Sequence, residues 1–515
     1  AVQEADGWSE SQNAVNIPSD GSFITVKNSY HVRSAEGELT QERKSADSVP
    51  FITTPKDTTV QPIVEIEWSD AWKEIPLYRY QDEETEFFRT WEESEAPFAI
   101  IEGDSATFLV PEKDRDRIID DPGVKEAYQF HTIDGMLEWY AAFIRQYDAF
   151  VGLDFYAKEA CHQNVRAKFF IKANVHGYGA AYYSGDHSAN NDDSLGGYLE
   201  KNWVSLHEFG HGYEGSFANQ ENSFVETTNN ILGYYFEETY RPEEDSGWML
   251  YNFSGSKTQR YAELGTYAKN RRETTGTFNE IVEGGEHFNA SLFMFTNVLD
   301  RLGPEKTVSA MHSQYRKFCY DNGKPMSSSD VIAESFSKTG QYNVIPYFES
   351  WHIRPTKELE NEIYEMDLPM LYYLNDIITD KAACERVRSK LNLDGIYSLV
   401  STDDLADTGY KSQATLKISI DDLSQIQNKN IVIKNGGKIV KKIPVTGKTI
   451  QTELPVGIYE IELPMPRTAD YRFQKEYFVA AQGNAAKEFS YEKIKGNPLR
   501  YDVEIQLLGL GDGKA

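Results

Sequence analysis

The segment Trp203-Val-Ser-Leu-His207-Glu208-Phe-Gly-His211 holds the residue types from which a hydrolytic metal site is built. Two histidines four apart lie one above the other on a helical face, so both imidazoles can reach a single tetrahedral cation. The Glu beside the first can then aim its carboxylate at a water on that cation. A zinc site that hydrolyses peptides uses three protein ligands and keeps the fourth position for water, so a third ligand is required. The extended pattern with Gly three and His six residues after the second His is absent, because Glu214 and Phe217 stand there.

The acidic candidates are Glu214, Glu221 and Glu226, with Glu237 and Glu238 further on. Gly212 and Gly215 flank Glu214 and end the helix beside it, which makes it a poor ligand. Glu226 instead opens Val225-Glu-Thr-Thr-Asn-Asn-Ile-Leu-Gly-Tyr-Tyr-Phe, a second helical pattern, and the gap after His211 suits a turn that lays this helix along the first. The expected zinc ligands are therefore His207, His211 and Glu226, with Glu208 as catalytic base and one Zn²⁺ per chain. Asn230 lies one turn after Glu226, where it is either an ordinary polar helix position or an acceptor that fixes the tautomer of a ligand imidazole.

These residues must be carried by elements whose patterns change along the chain. Alternating runs at Ser22 to Val26, Val60 to Trp68 and Phe98 to Val110 predict a β-rich N-terminal region over 1–124. From Asp134, read as an N-cap, the recurrence of Met136, Trp139, Tyr140, Phe143, Ile144 and Tyr147 predicts helix. Lys168 to Gly197 reads as strand followed by a Gly- and Tyr-rich loop, and helical patterns resume at Trp203, Val225, Phe288 and Ser329. Residues 125–355 are expected to form a mainly helical domain and 356–408 a helical connector. The alternating runs Ala414 to Ile420, Ile431 to Lys434, Ile458 to Leu463 and Val503 to Leu508 predict a β-sandwich over 409–515. Trp203, Phe209 and Phe224 are read as packing beneath the metal helix. The fold class is thus α+β and multidomain.

Composition narrows the partners. The chain has 515 residues, 81 acidic against 52 basic side chains and a formal net charge of -29, a surface that repels phosphate backbones, so nucleic acid is not expected. No apolar run is long enough to predict a membrane span. Cys161, Cys319 and Cys384 are odd in number and in no metal-ligand spacing. The chain opens Ala1-Val-Gln-Glu without an initiator Met, which fits a mature protein whose leader is gone or a trimmed chain.

His207-Glu-Phe-Gly-His followed by Glu226-Thr-Thr-Asn-Asn-Ile resembles the enhancin-like metallopeptidases, which include viral enhancins and bacterial enzymes acting on mucins. Ala96-Pro-Phe-Ala-Ile-Ile-Glu-Gly-Asp, Leu109-Val-Pro and Tyr342-Asn-Val-Ile-Pro-Tyr-Phe-Glu-Ser-Trp351 look like flanking segments of that family, so the resemblance covers about residues 60 to 355. It implies a helical, zincin-type domain of gluzincin type. It also implies a glycosylated, mucin-like protein substrate and a secreted or extracellular setting, cell- or virion-associated forms included. The competing reading is a non-catalytic adhesin that keeps the fold. Donors for the tetrahedral oxyanion are sought at Tyr178, Tyr182 and Tyr183, in the loop before the metal helix, and at His176, His187 and His287.

Overall fold

The computed structural model describes residues 72–164, 168–174, 180–185, 187–240, 257–282 and 287–494, with the N-terminal stretches 2–4, 7–8, 30–33, 39–44, 48–50, 63 and 65–67. Two compact units emerge, one of residues 1–340 with 350–355 and one of 341–349 with 356–515.

In the first unit a six-stranded sheet is built from β1 (Leu77–Arg79), β2 (Phe98–Glu102), β3 (Ala106–Pro111), β4 (Phe169–Ala173), β5 (Ala181–Ser184) and β6 (His187–Asn190). Its order is β5-β6-β4-β3-β2-β1, so β5 forms an edge, antiparallel to β6. The apolar runs Phe98 to Ile101 and Phe108 to Val110, with Phe169 and Ile171 of β4, supply many of its buried residues. Between β1 and β2 stands α1 (Glu84–Ser94), a helix hidden within an acidic stretch, where Phe87 and Trp91, one turn apart, are buried.

Helix α2 (Ile133–Phe150) begins two residues earlier than expected, because Thr132 rather than Asp134 is the N-cap and its hydroxyl accepts from the Gly135 N–H at 2.9 Å. Asp134 instead accepts from the Tyr78 hydroxyl and the Gln81 N–H, both at 3.0 Å, and ties the helix to β1. The helix buries Met136, Tyr140, Phe143 and Tyr147 against α3 (Trp203–His211) and the sheet. Phe209 of α3 sits in an aromatic nest 4.5 Å from the Phe169 ring, 5.4 Å from Phe143 and 5.6 Å from Tyr140. Such pairs add about 0.5–1.5 kcal/mol each beyond area burial and leave the helix one orientation. Two buried hydroxyls pin it further: Tyr140 meets Ser205 Oγ at 2.7 Å, and Tyr147 donates to the Leu206 carbonyl at 2.9 Å.

Helix α4 (Val225–Tyr240) packs on α3 at Gly210, where a Cβ would lie 2.8 Å from both Cβ and O of Asn229. Only a glycine permits that approach. Helices α5 (Lys257–Arg272), α6 (Phe278–Val282), α7 (His287–Leu302), α8 (Pro304–Asn322) and α9 (Ser328–Gly340) belong to the same unit.

Among the described residues the second unit holds four α-helices, α10 (Ile345–Glu349), α11 (Lys357–Glu365), α12 (Leu374–Ile377) and α13 (Lys381–Lys390). Its longer strands are β7 (Lys411–Ser419), β8 (Asn430–Asn435), β9 (Lys438–Pro444), β10 (Thr449–Pro455), β11 (Gly457–Glu462), β12 (Glu476–Ala480) and β13 (Gly483–Ser490). They form a three-stranded sheet, β10-β7-β13, and a four-stranded sheet, β9-β8-β11-β12. Leu416, Ile418, Ile431, Ile433, Ile461, Phe478 and Phe489 share one core. Strands β8 and β9 are joined through Gly436 and Gly437, whose φ values of 53° and 74° suit the tight hairpin turn that Asn-Gly-Gly announces.

Some expectations need amendment. Ser22 to Val26 and Val503 to Leu508 lie outside the described residues; within Val60 to Trp68 residues 63 and 65–67 are exposed and form no strand. The stretch after Lys168, read as strand then loop, carries the β5–β6 hairpin as well. No helix among the described residues is long and apolar enough to cross a membrane.

Candidate metal centre

Helix α3 is capped by Asn202, whose side chain accepts from the Val204 N–H, and by Gly212 at its other end. Its regular turn brings His207 and His211 together, with their Nε2 atoms 3.2 Å apart. Glu226, in the first turn of α4, places Oε2 3.1 Å from His207 Nε2 and 3.8 Å from His211 Nε2. Tetrahedral zinc with Zn–N near 2.0–2.1 Å requires ligand atoms about 3.3 Å apart. Two of the three separations, 3.1 and 3.2 Å, lie close to that value, and the third, His211 Nε2 to Glu226 Oε2, is wider at 3.8 Å. Two imidazole lone pairs this close repel each other unless a cation lies between them, so the donor set fits the ion.

The other ring nitrogens decide whether those lone pairs are available. His207 Nδ1 lies 3.0 Å from Asn230 Oδ1, and the same oxygen accepts from Trp203 Nε1 at 2.8 Å. Asn230 is fully buried, and its amide donates to the Glu226 carbonyl at 2.7 Å. His211 Nδ1 lies 3.2 Å from Glu214 Oε2, and Thr228 Oγ1 donates to the other Glu214 oxygen at 3.1 Å. Each acceptor favours the proton on Nδ1 and so the lone pair on Nε2, the atom that faces Glu226. Asn229 adds an amide N–H group 3.3 Å from His207 Nε2 and 3.2 Å from His211 Nε2, with its own oxygen fixed by the Asn230 N–H at 2.7 Å.

Electrostatics follow from burial. Burial raises the pKa of the Glu208 carboxyl, and so does Glu226, while the two histidines pull it down; the net shift is upward. Burial lowers that of His211, but its Glu214 hydrogen bond and the charges of Glu214, Glu226 and Glu208 prevail, so it is raised. A buried, partly desolvated carboxyl beside a cation site is suited to taking a proton from water.

Glu214, set aside as a ligand, is the orienting carboxylate of His211, and Asn229 was not singled out. The i,i+3 spacing from His211 to Glu214 was the available signal for the first. Glu221 accepts from the backbone N–H groups of Ser329 at 2.9 Å and Ser328 at 3.3 Å, and so caps α9. Trp203 does not pack beneath the helix: its ring lies 4.1 Å from that of His207. Phe209 and Phe224 are fully buried.

Of the oxyanion candidates, Tyr182 on β5 accepts from Asn174 Nδ2 at 2.7 Å and Lys172 Nζ at 3.3 Å and meets His187 Nε2 at 3.3 Å. The Tyr183 hydroxyl donates to the Gly185 carbonyl at 2.9 Å and lies over Gly212, the residue after His211. Tyr178 and His176 lie outside the described residues, as does the side chain of His287, which opens α7.

Comparisons with known proteins bear on this geometry. The family model described as Peptidase M60, enhancin and enhancin-like matches residues 73–352. The viral-enhancing factor of Pseudalatia unipuncta granulosis virus is 23% identical over 451 residues, 83% of this chain and 47% of the relative. That of Trichoplusia ni granulosis virus is 22% identical over 453 residues, with the same shares. The chain spans about half the length of these curated relatives. Among solved structures, the M60 catalytic domain with CBM51 domains from Clostridium perfringens ZmpB aligns at 15% identity and a TM-score of 0.42, over 79% of this chain and 41% of that one. A metallopeptidase from Bacteroides thetaiotaomicron aligns at 11% identity and a TM-score of 0.44, over 78% and 68%.

Proposed function

Because the chain belongs to the M60 family of enhancin and enhancin-like peptidases, we propose that it is a secreted zinc endopeptidase that cleaves peptide bonds in glycosylated, mucin-like proteins. The observation that carries the reading is the convergence of His207 Nε2, His211 Nε2 and Glu226 Oε2, with separations of 3.1 to 3.8 Å, beside the buried Glu208. Zinc, if held by these three residues, would supply a Lewis acid for the scissile carbonyl and for water. Asn230 and Glu214 keep both imidazoles in the ligating tautomer and fixed in rotation. Glu208 takes the proton of the attacking water and delivers it to the leaving amine, a role for which its burial and raised pKa suit it. The extended substrate is placed along β5, the end strand in the order of the six-stranded sheet. The test is cleavage of an O-glycosylated protein, with and without a chelator, by chain of measured zinc content. Binding of that protein without cleavage in any metal state would favour the adhesin.

A further inference from the structure

From Leu423 to Thr452, thirty consecutive residues, the chain has six lysines and no Asp or Glu, although acidic residues outnumber basic ones 81 to 52 overall. The fold gathers these lysines on the β8–β9 hairpin and the turns beside it. Strand β9 is an edge of the four-stranded sheet, and its residues Lys438, Ile439, Val440, Lys441 and Lys442 are all exposed. Lys434 is neutralised by Glu462 at 2.6 Å. The Lys429 ammonium rests on the Met465 carbonyl and that of Lys441 on the Glu453 carbonyl, contacts that leave both charges intact. Among the described residues no carboxylate lies within ion-pair distance of Lys429, Lys438, Lys441, Lys442 or Lys448.

Lysines on an exposed edge discourage edge-to-edge pairing, and that accounts for the three on β9. It does not account for Lys429 and Lys448, which lie beyond the strand, or for the loss of every acidic residue across both strands. The strip is one strand wide, and Lys438 and Lys442 stand about 13 Å apart along it. The remainder of the chain is more negative still than the total of -29. A bilayer or a nucleic-acid duplex is broad enough to bring that negative surface within the Debye length of about 8 Å, where it repels. A single flexible chain bearing spaced anions touches the strip alone.

We infer that the β8–β9 hairpin is a docking strip for a sulfated glycan chain, with sulfates on the lysines and sugar C–H faces on Ile439 and Val440. The inference deepens the glycoprotein reading and places part of substrate recognition on the strand edge of the second unit. The test uses the full chain and a sulfated heparin-type octasaccharide, with its desulfated form, a sialylated glycopeptide, anionic phosphatidylserine vesicles and a DNA duplex as parallel probes. The wild type binds the octasaccharide best, and Lys438→Gln/Lys441→Gln/Lys442→Gln binds it at least about tenfold more weakly. The slope of log affinity against log salt falls by about 2 on loss of three contacts. Cleavage of an unsulfated O-glycosylated substrate is unchanged in the variant, and chelation leaves the octasaccharide affinity unchanged, so the strip and the peptidase reading fail separately. Equal binding by wild type and variant, or preference for the desulfated chain, the sialylated glycopeptide, the vesicle or the duplex, overturns the inference. Lys438→Arg/Lys441→Arg/Lys442→Arg keeps the charge and must retain binding; its loss would also overturn it.

Discussion

Gly210→Ala tests whether helix contact at a single atom sets the metal geometry. The added Cβ would stand 2.8 Å from Asn229 Cβ and O and 2.9 Å from its Cα. Carbon contacts settle near 3.5–4.0 Å, so α4 must retreat by about 0.7 Å or more. Glu226 lies one turn before Asn229 on that helix, and a ligand site tolerates only about 0.2 Å of error. Overpacking costs about 1–3 kcal/mol, and replacing Gly by Ala in a helix returns about 1 kcal/mol, so the net loss of stability is about 0–2 kcal/mol. The variant is therefore expected to fold, while its zinc affinity falls at least about tenfold. The assay is competition for zinc with a chromophoric chelator, beside urea denaturation of the metal-free chain. Zinc affinity within twofold of wild type would refute the argument that this contact holds Glu226 in place.

Other consequences can be measured independently. Glu214→Ala should weaken zinc binding about 10- to 100-fold, whereas Glu214→Gln, which can still accept from His211 Nδ1–H, should keep most of it; equal losses would remove the orienting role. Phe209→Ala, which empties the aromatic nest under α3, should cost about 3–5 kcal/mol in denaturant unfolding, and a loss below 1 kcal/mol would contradict the packing described. Burial, and secondarily Arg316, push the His312 imidazole down to about 3 from an ordinary 6.5. Its folded pKa is depressed, so the unfolded chain takes up the proton first, and stability present above pH 6.5 is lost as pH falls toward 3. At pH 5 this single group costs about 2 kcal/mol. The metal-free His312→Asn variant should therefore lose less stability than wild type between pH 7 and pH 5; identical slopes would count against a buried neutral ring.

The parts of the fold that could be read in advance are those governed by local periodicity. Helical spacing fixes that His207 and His211 share a face, and the apolar repeats of α2 and α4 announce those helices whatever packs on them. What escaped depends on contacts between distant residues. Asn229 reaches both rings only because Gly210 lets α4 approach, and Thr228 of that same helix holds the Glu214 carboxylate that faces His211. Helix α1 was masked by its acidic residues, since Phe87 and Trp91 alone form its buried face. Thr132 displaced Asp134 as N-cap because Asp134 was engaged by Tyr78 and Gln81 of another element. Trp203 looked like core from its type, yet its indole N–H is held by Asn230 beside His207.

The most direct test of the proposed chemistry is Glu208→Gln, measured for zinc content and for turnover of one O-glycosylated substrate. An amide of the same shape cannot take the water proton, and general base catalysis contributes about 10²- to 10⁴-fold, so the variant should keep one zinc per chain and lose turnover by that order or more. Near-full activity in the variant would contradict the base role of Glu208, and loss of the zinc would make it a ligand instead.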